Sequence, residues 1–344
     1  MCVGVSVLLV VGCSRSPSAA TTATRADTGL TTKRFNGGFF TIEQPAGWEL
    51  VTAGSCSDFS FFLYDSDQPL RQVFYFGQAG PVYTNAYQRE IDRTYTAMGG
   101  YATPWLDMPI VDPLTPGNFL LQFPLVLASE IGRAFMPNGP GMDQIQIVST
   151  ETVPSPVPGG ECALVRAVFL RDGSLGEGLF CLTVAPLLPF SGSPGGSIAS
   201  GFLISGVAAE KAAFPGLVDD LTRCAESFTL DEGYVADCIA RQEQTYQGIL
   251  QAGRTLSEAS DIIMGGWEDR SQIHDVLSEK WSDTIIGVER LYDPDTGTVY
   301  RFDLGFREEY EAGRERFRLQ NLEPLPEDNY DLWMAPVLDG EQHL

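Results

Sequence analysis

The sequence predicts an α+β fold, in which an antiparallel sheet with helices packed on it precedes a C-terminal helical hairpin and a small β-hairpin. Two observations indicate this order. Short β-rich runs separated by turn formers dominate residues 36–230, and apolar residues at helical spacing take over after Leu230. The chain of 344 residues is long enough for one large or two ordinary domains. With 44% hydrophobic residues it can bury a core.

Closely spaced strand patterns open the folded region. Four β-rich runs, at residues 38–44, 48–51, 59–64 and 72–76, are joined by turn formers and predict an antiparallel meander. Residues 86–98 are predicted to be a helix, because Tyr87, Ile91 and Tyr95 recur at four-residue spacing. Gly99-Gly100 ends this helix.

The middle of the chain continues the alternation of helix and strand. An apolar stretch at 119–135 contains Pro124, and we expect a mostly buried helix to begin near that proline, with Asn118 or a nearby residue as its entry. Residues 144–153, 163–170 and 175–184 are predicted strands, the last two forming a hairpin around Arg171-Asp172-Gly173-Ser174. After a Gly/Ser/Pro loop at 189–201 we expect a strand at 202–207 and an amphipathic helix at 214–227.

The C-terminal third is helical and acidic. Helices are predicted over 235–250 and 257–285, with Gly265-Gly266 marking a bend in the second. A β-hairpin follows at 288–303, and a proline-containing tail, expected to dock loosely, completes the chain. Residues 231–344 hold 10 basic and 25 acidic side chains, so they carry −15 of the net charge of −23. This acidity disfavours nucleic acid as a partner and favours solubility, with a cationic partner or Ca²⁺ as the alternative.

Seven cysteines set the disulfide possibilities: Cys2, Cys13, Cys56, Cys162, Cys181, Cys224 and Cys238. Cys162 and Cys181 flank the predicted hairpin turn and should face each other within a residue or two of register, so we expect a disulfide between them. Cys56 could meet Cys224 or Cys238. We adopt Cys238, which would clamp the C-terminal third to the sheet.

The N-terminus resembles a bacterial lipoprotein signal. An apolar run of about nine residues fits a signal-peptide core and is too short to span a bilayer as a helix. It ends in Val10-Val11-Gly12-Cys13, which is similar to a lipobox, although no Lys or Arg precedes the run. The resemblance implies removal of residues 1–12, a lipid on Cys13 and attachment to the extracytoplasmic face of the cell membrane. Residues 14–35, rich in Ser, Thr and Ala, would be a flexible tether.

Two segments of the folded region resemble PsbP/Mog1-like domains. Residues 38–48, Gly-Phe-Phe-Thr-Ile-Glu-Gln-Pro-Ala-Gly-Trp, are similar to the start of such domains, and residues 204–207 with the following helix are similar to their close. The resemblance implies an α+β domain over 36–230 and a binding or assembly role without a shared active site. Residues 231–344 would form a separate C-terminal domain.

The whole chain also resembles lipoproteins of anaerobic Gram-positive bacteria. The similar phrases are residues 51–57, 292–297 and 321–325. That resemblance implies no activity.

Residues that could carry chemistry are few. Asp293-x-Asp295-x-Gly297 is a fragment of a calcium-loop pattern without its distal ligands, so we interpret it as a tight turn. Gly195-Gly196-Ser197 loosely resembles a nucleophile elbow, but neither His274 nor His343 is a convincing general base. We therefore predict no cofactor, no metal site and no catalytic residue. The arginines and glutamates of 307–318 are expected to form a surface of ion pairs.

Aromatic residues concentrate between residues 59 and 101, where core packing is the simplest interpretation. Trp105, in a proline-rich loop, is the residue we would choose as an exposed ligand-binding aromatic. The sequence thus favours a lipid-anchored protein that binds a protein or small ligand without catalysis. A secreted hydrolase using a carboxylate pair is the alternative, and a structural spacer is a third possibility.

Overall fold

The computed structural model describes residues 29–100, 102–187, 198–241, 244–256 and 272–343, and within them it shows the predicted α+β fold. The strands form three sheets, with the orders β1-β2-β10, β3-β4-β5-β9-β8-β7-β6 and β13-β11-β12-β14. The strand bounds are as follows: β1 Thr32–Asn36, β2 Phe40–Pro45, β3 Glu49–Ala53, β4 Ser60–Tyr64, β5 Gln72–Tyr83, β6 Asp143–Val153, β7 Glu161–Arg171, β8 Ser174–Leu187, β9 Ile198–Glu210, β10 Thr229–Leu230, β11 Val288–Asp293, β12 Thr298–Asp303, β13 Glu323–Pro324 and β14 Val337–Asp339.

The central seven-stranded sheet is antiparallel throughout. Its strands β7 and β8 form the predicted hairpin, whose turn residues Asp172 and Gly173 both have positive φ. β5, β7, β8 and β9 are buried on both faces over most of their length. Their sequences are therefore nearly continuous apolar runs rather than alternating ones.

Helices cover both faces of this sheet. Their bounds are α1 Ala86–Ala97, α2 Pro116–Ala128, α3 Glu130–Phe135, α4 Phe214–Glu226, α5 Glu232–Arg241, α6 Gln244–Ala252, α7 Gln272–Ile286, α8 Phe306–Ala312 and α9 Tyr330–Trp333. One apolar cluster joins α4 and α5 to one face, and a second joins α2 to the other face. None of the helices in the described ranges is long and apolar enough to cross a membrane.

The helix α2 begins earlier than predicted. Thr115 is its N-cap, accepting a hydrogen bond from the Asn118 backbone N–H at 3.2 Å, and Pro116 occupies the first turn. This is a favourable start for a helix, because the backbone nitrogen of a first-turn residue has no hydrogen-bond partner within the helix, so a proline in that turn removes no helical hydrogen bond. Pro124 lies inside the helix instead of starting it.

The expected tether and meander are also corrected. Residues 32–35, which were placed in the tether, belong to β1, and β1 pairs with β2. β2 belongs to this small sheet with β10 and not to the meander, which consists of β3, β4 and β5. The strand β1 is mostly exposed and polar, so it lacks the apolar alternation by which a strand is recognised.

The C-terminal third packs as several short elements. The first predicted helix is two helices, α5 and α6, and of the second the structure describes α7. The hairpin β11–β12 forms as predicted, and it is extended by β13 and by a parallel β14. The tail is not loose, because Leu325 and Trp333 are buried against Val276 of α7 and Val299 of β12.

Candidate functional site

A cavity of about 440 Å³ lies between β5 and the helices α2 and α3. Its apolar wall is contributed by the side chains of Phe76, Met108, Val126, Leu127, Ile131 and Phe135. Three polar side chains, Ser57, Asp58 and Gln78, also line it. A concave cavity that combines apolar side chains with a few polar groups is the usual form of a small-molecule site. We call it the α2–α3 pocket.

Irregular backbone shapes this pocket. The register of β5 against β9 shifts between Ala79 and Val82, next to Gly80, which has φ +132°. Bulges of this kind are frequent beside binding sites, because they redirect the strand. On the opposite wall Gly132 allows α3 to pack closely after α2, since a Cβ there would lie 2.2 Å from the Val126 carbonyl oxygen.

The turn at residues 56–58 places Asp58 in the pocket. It is a single 3₁₀ turn, in which the Asp58 backbone N–H donates to the Ser55 carbonyl oxygen at 3.0 Å. Two glycines let it pack tightly. A Cβ on Gly77 of β5 would lie 2.1 Å from the Ser57 carbonyl oxygen, and one on Gly54 would lie 2.5 Å from that of Asp58. We call residues 54–58 the Asp58 turn.

A disulfide braces the Asp58 turn from outside the pocket. The sulfurs of Cys56 and Cys238 lie 2.07 Å apart, which is the pairing adopted from the sequence. The Cys56 backbone N–H also donates to the Tyr234 hydroxyl at 2.8 Å, and Phe39 stacks on the Tyr234 ring at 4.2 Å. The turn that carries the pocket's carboxylate is therefore tied to α5.

Asp58 is the sole ionisable side chain in the described lining of the pocket. No described Lys, Arg or His forms an ion pair with it, and its side-chain partner is the Ser57 hydroxyl, which donates at 3.4 Å. Desolvation by the surrounding apolar groups raises the pKa of Asp58, and the Ser57 hydrogen bond offsets part of that shift. The side chain itself remains accessible at the mouth of the pocket.

A second group of functional side chains lies where α7 covers the sheet. We call it the α7 charge cluster, and it consists of Arg166, Glu177, Lys211, Asp275, Glu279, Asp283 and Arg290. These residues line a cavity of about 530 Å³. Each carboxylate is engaged by a cation, as when Arg166 donates to Glu177 at 2.6 Å and to Asp275 at 3.2 Å.

Ion pairing and burial shift the pKa values of this cluster in opposite directions. Burial acts to raise the pKa of Glu279, but Lys211 and Arg290 outweigh it and lower that pKa. For Asp283 burial prevails over Arg290, and the pKa is raised. Salt bridges buried to this degree hold elements in a defined register more than they add stability. The cluster fixes α7 on the sheet.

Cys162 and Cys181 are not joined in the structure, so the predicted disulfide between them is corrected. Cys162 pairs in register with Thr183, and Cys181 pairs with Leu164, so the two cysteines are diagonal rather than opposite. Both are buried thiols. The hydrogen bond from Cys181 lowers the pKa of Cys162 to about 7. Burial raises the pKa of the third free thiol, Cys224, to about 12.

The other singled-out residues do not converge on a site. Trp105 is half-buried and packs against the α2 cluster, so its expected exposure is wrong. The surrounding loop folds inward, since Met108 next to it is fully buried. His274 lines a small cavity with Arg166, away from the α2–α3 pocket. Cys13 and the Gly195–Ser197 motif lie outside the described residues.

The Asp293-x-Asp295-x-Gly297 segment is a tight turn. The Gly297 backbone N–H donates to the Asp293 carbonyl oxygen at 2.7 Å, with φ +69° at Gly297. The Asp293 carboxylate accepts from the Asp295 backbone N–H and from the Thr296 hydroxyl. Among the described residues no group of three or more His, Cys, Asp or Glu side chains could hold a metal ion.

Sequence reasoning missed both the α2–α3 pocket and the α7 charge cluster. The pocket needs Asp58 to meet α2 and α3 across a sequence separation that no local pattern encodes. The glycines around the Asp58 turn, Gly54 and Gly77, were the available signal, because each marks a close approach of backbone segments.

Comparison with known proteins finds structural matches but no match by sequence. No protein-family model matches the chain, and no curated protein matches its sequence. Among solved structures, the solution structure of cyanobacterial PsbP (CyanoP) from Synechocystis sp. PCC 6803 matches with 10% identity and a TM-score of 0.25. The match covers 62% of this chain and 98% of that chain. At this TM-score it adds nothing to the architecture, which rests on the strand pairing above.

Proposed function

We propose that the protein is a non-catalytic binding protein that takes a small ligand into the α2–α3 pocket. The observation that carries the proposal is the pocket itself, a cavity of about 440 Å³ that combines apolar side chains with the polar residues Asp58, Ser57 and Gln78. Its volume falls in the range of cavities that hold small organic ligands. The bridge between Cys56 and Cys238 supports it, because a braced turn loses less entropy on binding than a free one.

Catalysis is less well supported than binding. The hydrolase alternative requires a pair of available carboxylates. Carboxylates do converge in the α7 charge cluster, but each is held by arginine or lysine, as Glu279 is by Lys211 at 2.8 Å. A carboxylate neutralised in this way is a weak nucleophile and a weak base. The described lining of the α2–α3 pocket includes one carboxylate and no histidine.

We also propose that a lipid on Cys13 holds this protein on the extracytoplasmic face of the cell membrane. The support is the lipobox-like Val10-Val11-Gly12-Cys13 after a short apolar run. Metabolic labelling with an alkyne fatty acid should mark the wild-type chain, and Cys13→Ser should abolish both the label and the membrane fractionation. Labelling that persists in Cys13→Ser would refute the proposed lipid anchor and would leave the proposal for the α2–α3 pocket unaffected.

Blocking the pocket tests the binding function. Leu127→Trp places an indole in the cavity, whereas Leu125→Trp adds the same ring on the exposed side of the same helix. A fragment library is screened by saturation-transfer NMR on the full-length chain carrying Cys13→Ser. We expect hits on this chain and on Leu125→Trp, and a loss of at least tenfold in affinity on Leu127→Trp. Hits that bind equally to both variants, or no hits at all, would refute the proposal.

A further inference from the structure

We infer that the ligand of the α2–α3 pocket is an organic cation with an apolar body, bound with its charged head at Asp58. This inference rests on the proposed binding function and deepens it by naming the class of ligand. It follows from three features of the described residues: the charge balance of the lining, the exposure of the Asp58 side chain, and an aromatic ring in the same lining that adjoins the Asp58 turn.

The described lining of the α2–α3 pocket carries a negative charge. The described lining contains the Asp58 carboxylate and no basic side chain, and no described cation pairs with that carboxylate. A ligand that covers Asp58 removes water from it, which is costly unless a new partner replaces the water. A neutral ligand supplies no opposite charge and an anion is repelled, so a cation is the complementary choice.

The position of Asp58 sets where the charge of the ligand lies. Its side chain is accessible, whereas Phe76, Met108 and Val126 in the same lining are almost fully buried. The apolar body of a ligand therefore enters toward these buried side chains, and its charged head stays near solvent at the mouth. A cation in that place keeps part of its hydration, as amphipathic groups generally do.

An aromatic ring adjoins the Asp58 turn. A Cβ built on Gly54 would meet the Asp58 carbonyl oxygen at 2.5 Å and the Phe135 ring at 2.9 Å, so the Asp58 turn and this ring adjoin. Phe135 also lines the pocket and is only half-buried. A cationic head at Asp58 would bind in a pocket that this ring also lines, and aromatic rings attract cations through their quadrupole.

Three ligands of the same shape and different charge test the inference: 4-phenylbutylamine, 4-phenylbutan-1-ol and 4-phenylbutanoate. Binding is measured by isothermal titration calorimetry at pH 7.5 on the full-length Cys13→Ser chain. A charge-assisted hydrogen bond to a partly exposed carboxylate corresponds to about a tenfold gain in affinity. We expect the amine to bind about tenfold tighter than the alcohol, and the carboxylate ligand to bind most weakly.

Two variants, each of which removes one negative charge, test whether the preference for the amine depends on Asp58. Asp58→Asn should lower the affinity for the amine to that for the alcohol and leave the alcohol within about twofold. Asp67→Asn removes the same charge from an exposed turn outside the described lining, and it should leave the preference for the amine intact. The Asp67 variant therefore controls for the general acidity of the chain.

The outcomes separate the two proposals. If the amine and the alcohol bind wild type equally, and Leu127→Trp blocks both, the binding function stands and the cation inference is overturned. The same holds if Asp67→Asn reduces the preference as much as Asp58→Asn does. If none of the three ligands binds, both proposals fail.

Discussion

Removing Arg166 should strongly destabilise the protein, because this arginine joins two carboxylates in the α7 charge cluster. Its side chain is 8% exposed, and those of its partners Glu177 and Asp275 are 2% and 7% exposed. The substitution Arg166→Met keeps most of the apolar stem and deletes the charge. Glu177 and Asp275 then each lose their ion pair with Arg166, although Lys211 stays 3.8 Å from Glu177.

Breaking one partner of such a buried pair costs about 3–5 kcal/mol. The matched control is Arg93→Met, whose ion pair with Glu90 is just as short, at 2.8 Å, but is exposed at 56% and 64%. Exposed pairs along a helix contribute about 0.3–0.5 kcal/mol. We therefore expect the two substitutions to differ by about 3 kcal/mol in the free energy of unfolding.

Urea denaturation followed by far-UV circular dichroism and by tryptophan fluorescence measures this difference. The triple variant Arg166→Met/Glu177→Leu/Asp275→Leu removes the arginine together with both carboxylates that it joins, and its stability should return to within about 1 kcal/mol of wild type or exceed it. A loss for Arg166→Met no larger than that for Arg93→Met would refute the reasoning. A triple variant as unstable as the single one would refute it too.

Three further predictions concern the α2–α3 pocket and its supports. Replacing both Cys56 and Cys238 by serine opens a loop of 182 residues and should cost about 3–5 kcal/mol. Dithiothreitol should then lower the urea midpoint of wild type but not of the variant. Gly77→Ala should destabilise by at least about 1–3 kcal/mol, because its Cβ would meet a carbonyl oxygen of the Asp58 turn at 2.1 Å. Gly216→Ala, in an open part of α4, should be neutral or stabilising by up to about 1 kcal/mol, and equal urea midpoints for the two would contradict the packing argument. Because burial raises the pKa of Asp58, its carboxylate protonates at a higher pH than an ordinary aspartate, so affinity for 4-phenylbutylamine should start to fall earlier on acidification. Calorimetry from pH 7.5 down to pH 4 should show this loss in wild type and a flat profile in Asp58→Asn.

The raised pKa of Asp58 also makes the free energy of unfolding depend on pH. In the pH range between its unfolded and folded pKa values, the native protein holds a proton that the unfolded chain has released. The contribution of this carboxyl to stability is therefore greatest at low pH and declines as the pH rises through that range. Asp58→Asn should remove the decline, as urea midpoints measured against pH would show.

The sequence predicted the parts of the fold whose patterns are local. The hairpin β7–β8 was recognised because Asp172-Gly173 is a strong turn signal between two apolar runs. The start of α2 was missed, although Thr115-Pro116 is a good helix start, because Pro124 was interpreted as the boundary. In the structure the buried side chains Phe119, Leu120 and Phe123 hold that helix together through the proline.

Features that depend on distant contacts were beyond local patterns. The tail was expected to be loose because of its prolines, yet Trp333 is buried against α7, and its indole N–H donates to the Pro326 carbonyl oxygen at 2.9 Å. The pairing of Cys56 with Cys238 was chosen from the position of the cysteines. Cys162 and Cys181 lie two residues apart in register, within the predicted range, but the disulfide expected between them is not formed. A two-residue offset keeps both side chains on one face of the sheet, and the two thiols are hydrogen-bonded to each other rather than joined.

The pairing of β5 with β9 has a consequence for how the chain assembles. The paired residues run from Gln72 with Ala208 to Tyr83 with Ile198, so they are separated by 136 to 115 positions. At ordinary rates of synthesis, β5 emerges on the order of 10 s before its partner. During that interval β5 is an apolar strand with an unpaired edge, with which strands of other chains can pair. Because non-local strand pairing is slow, the nascent protein depends on protection of the free edge of β5 from intermolecular pairing until β9 has been synthesised.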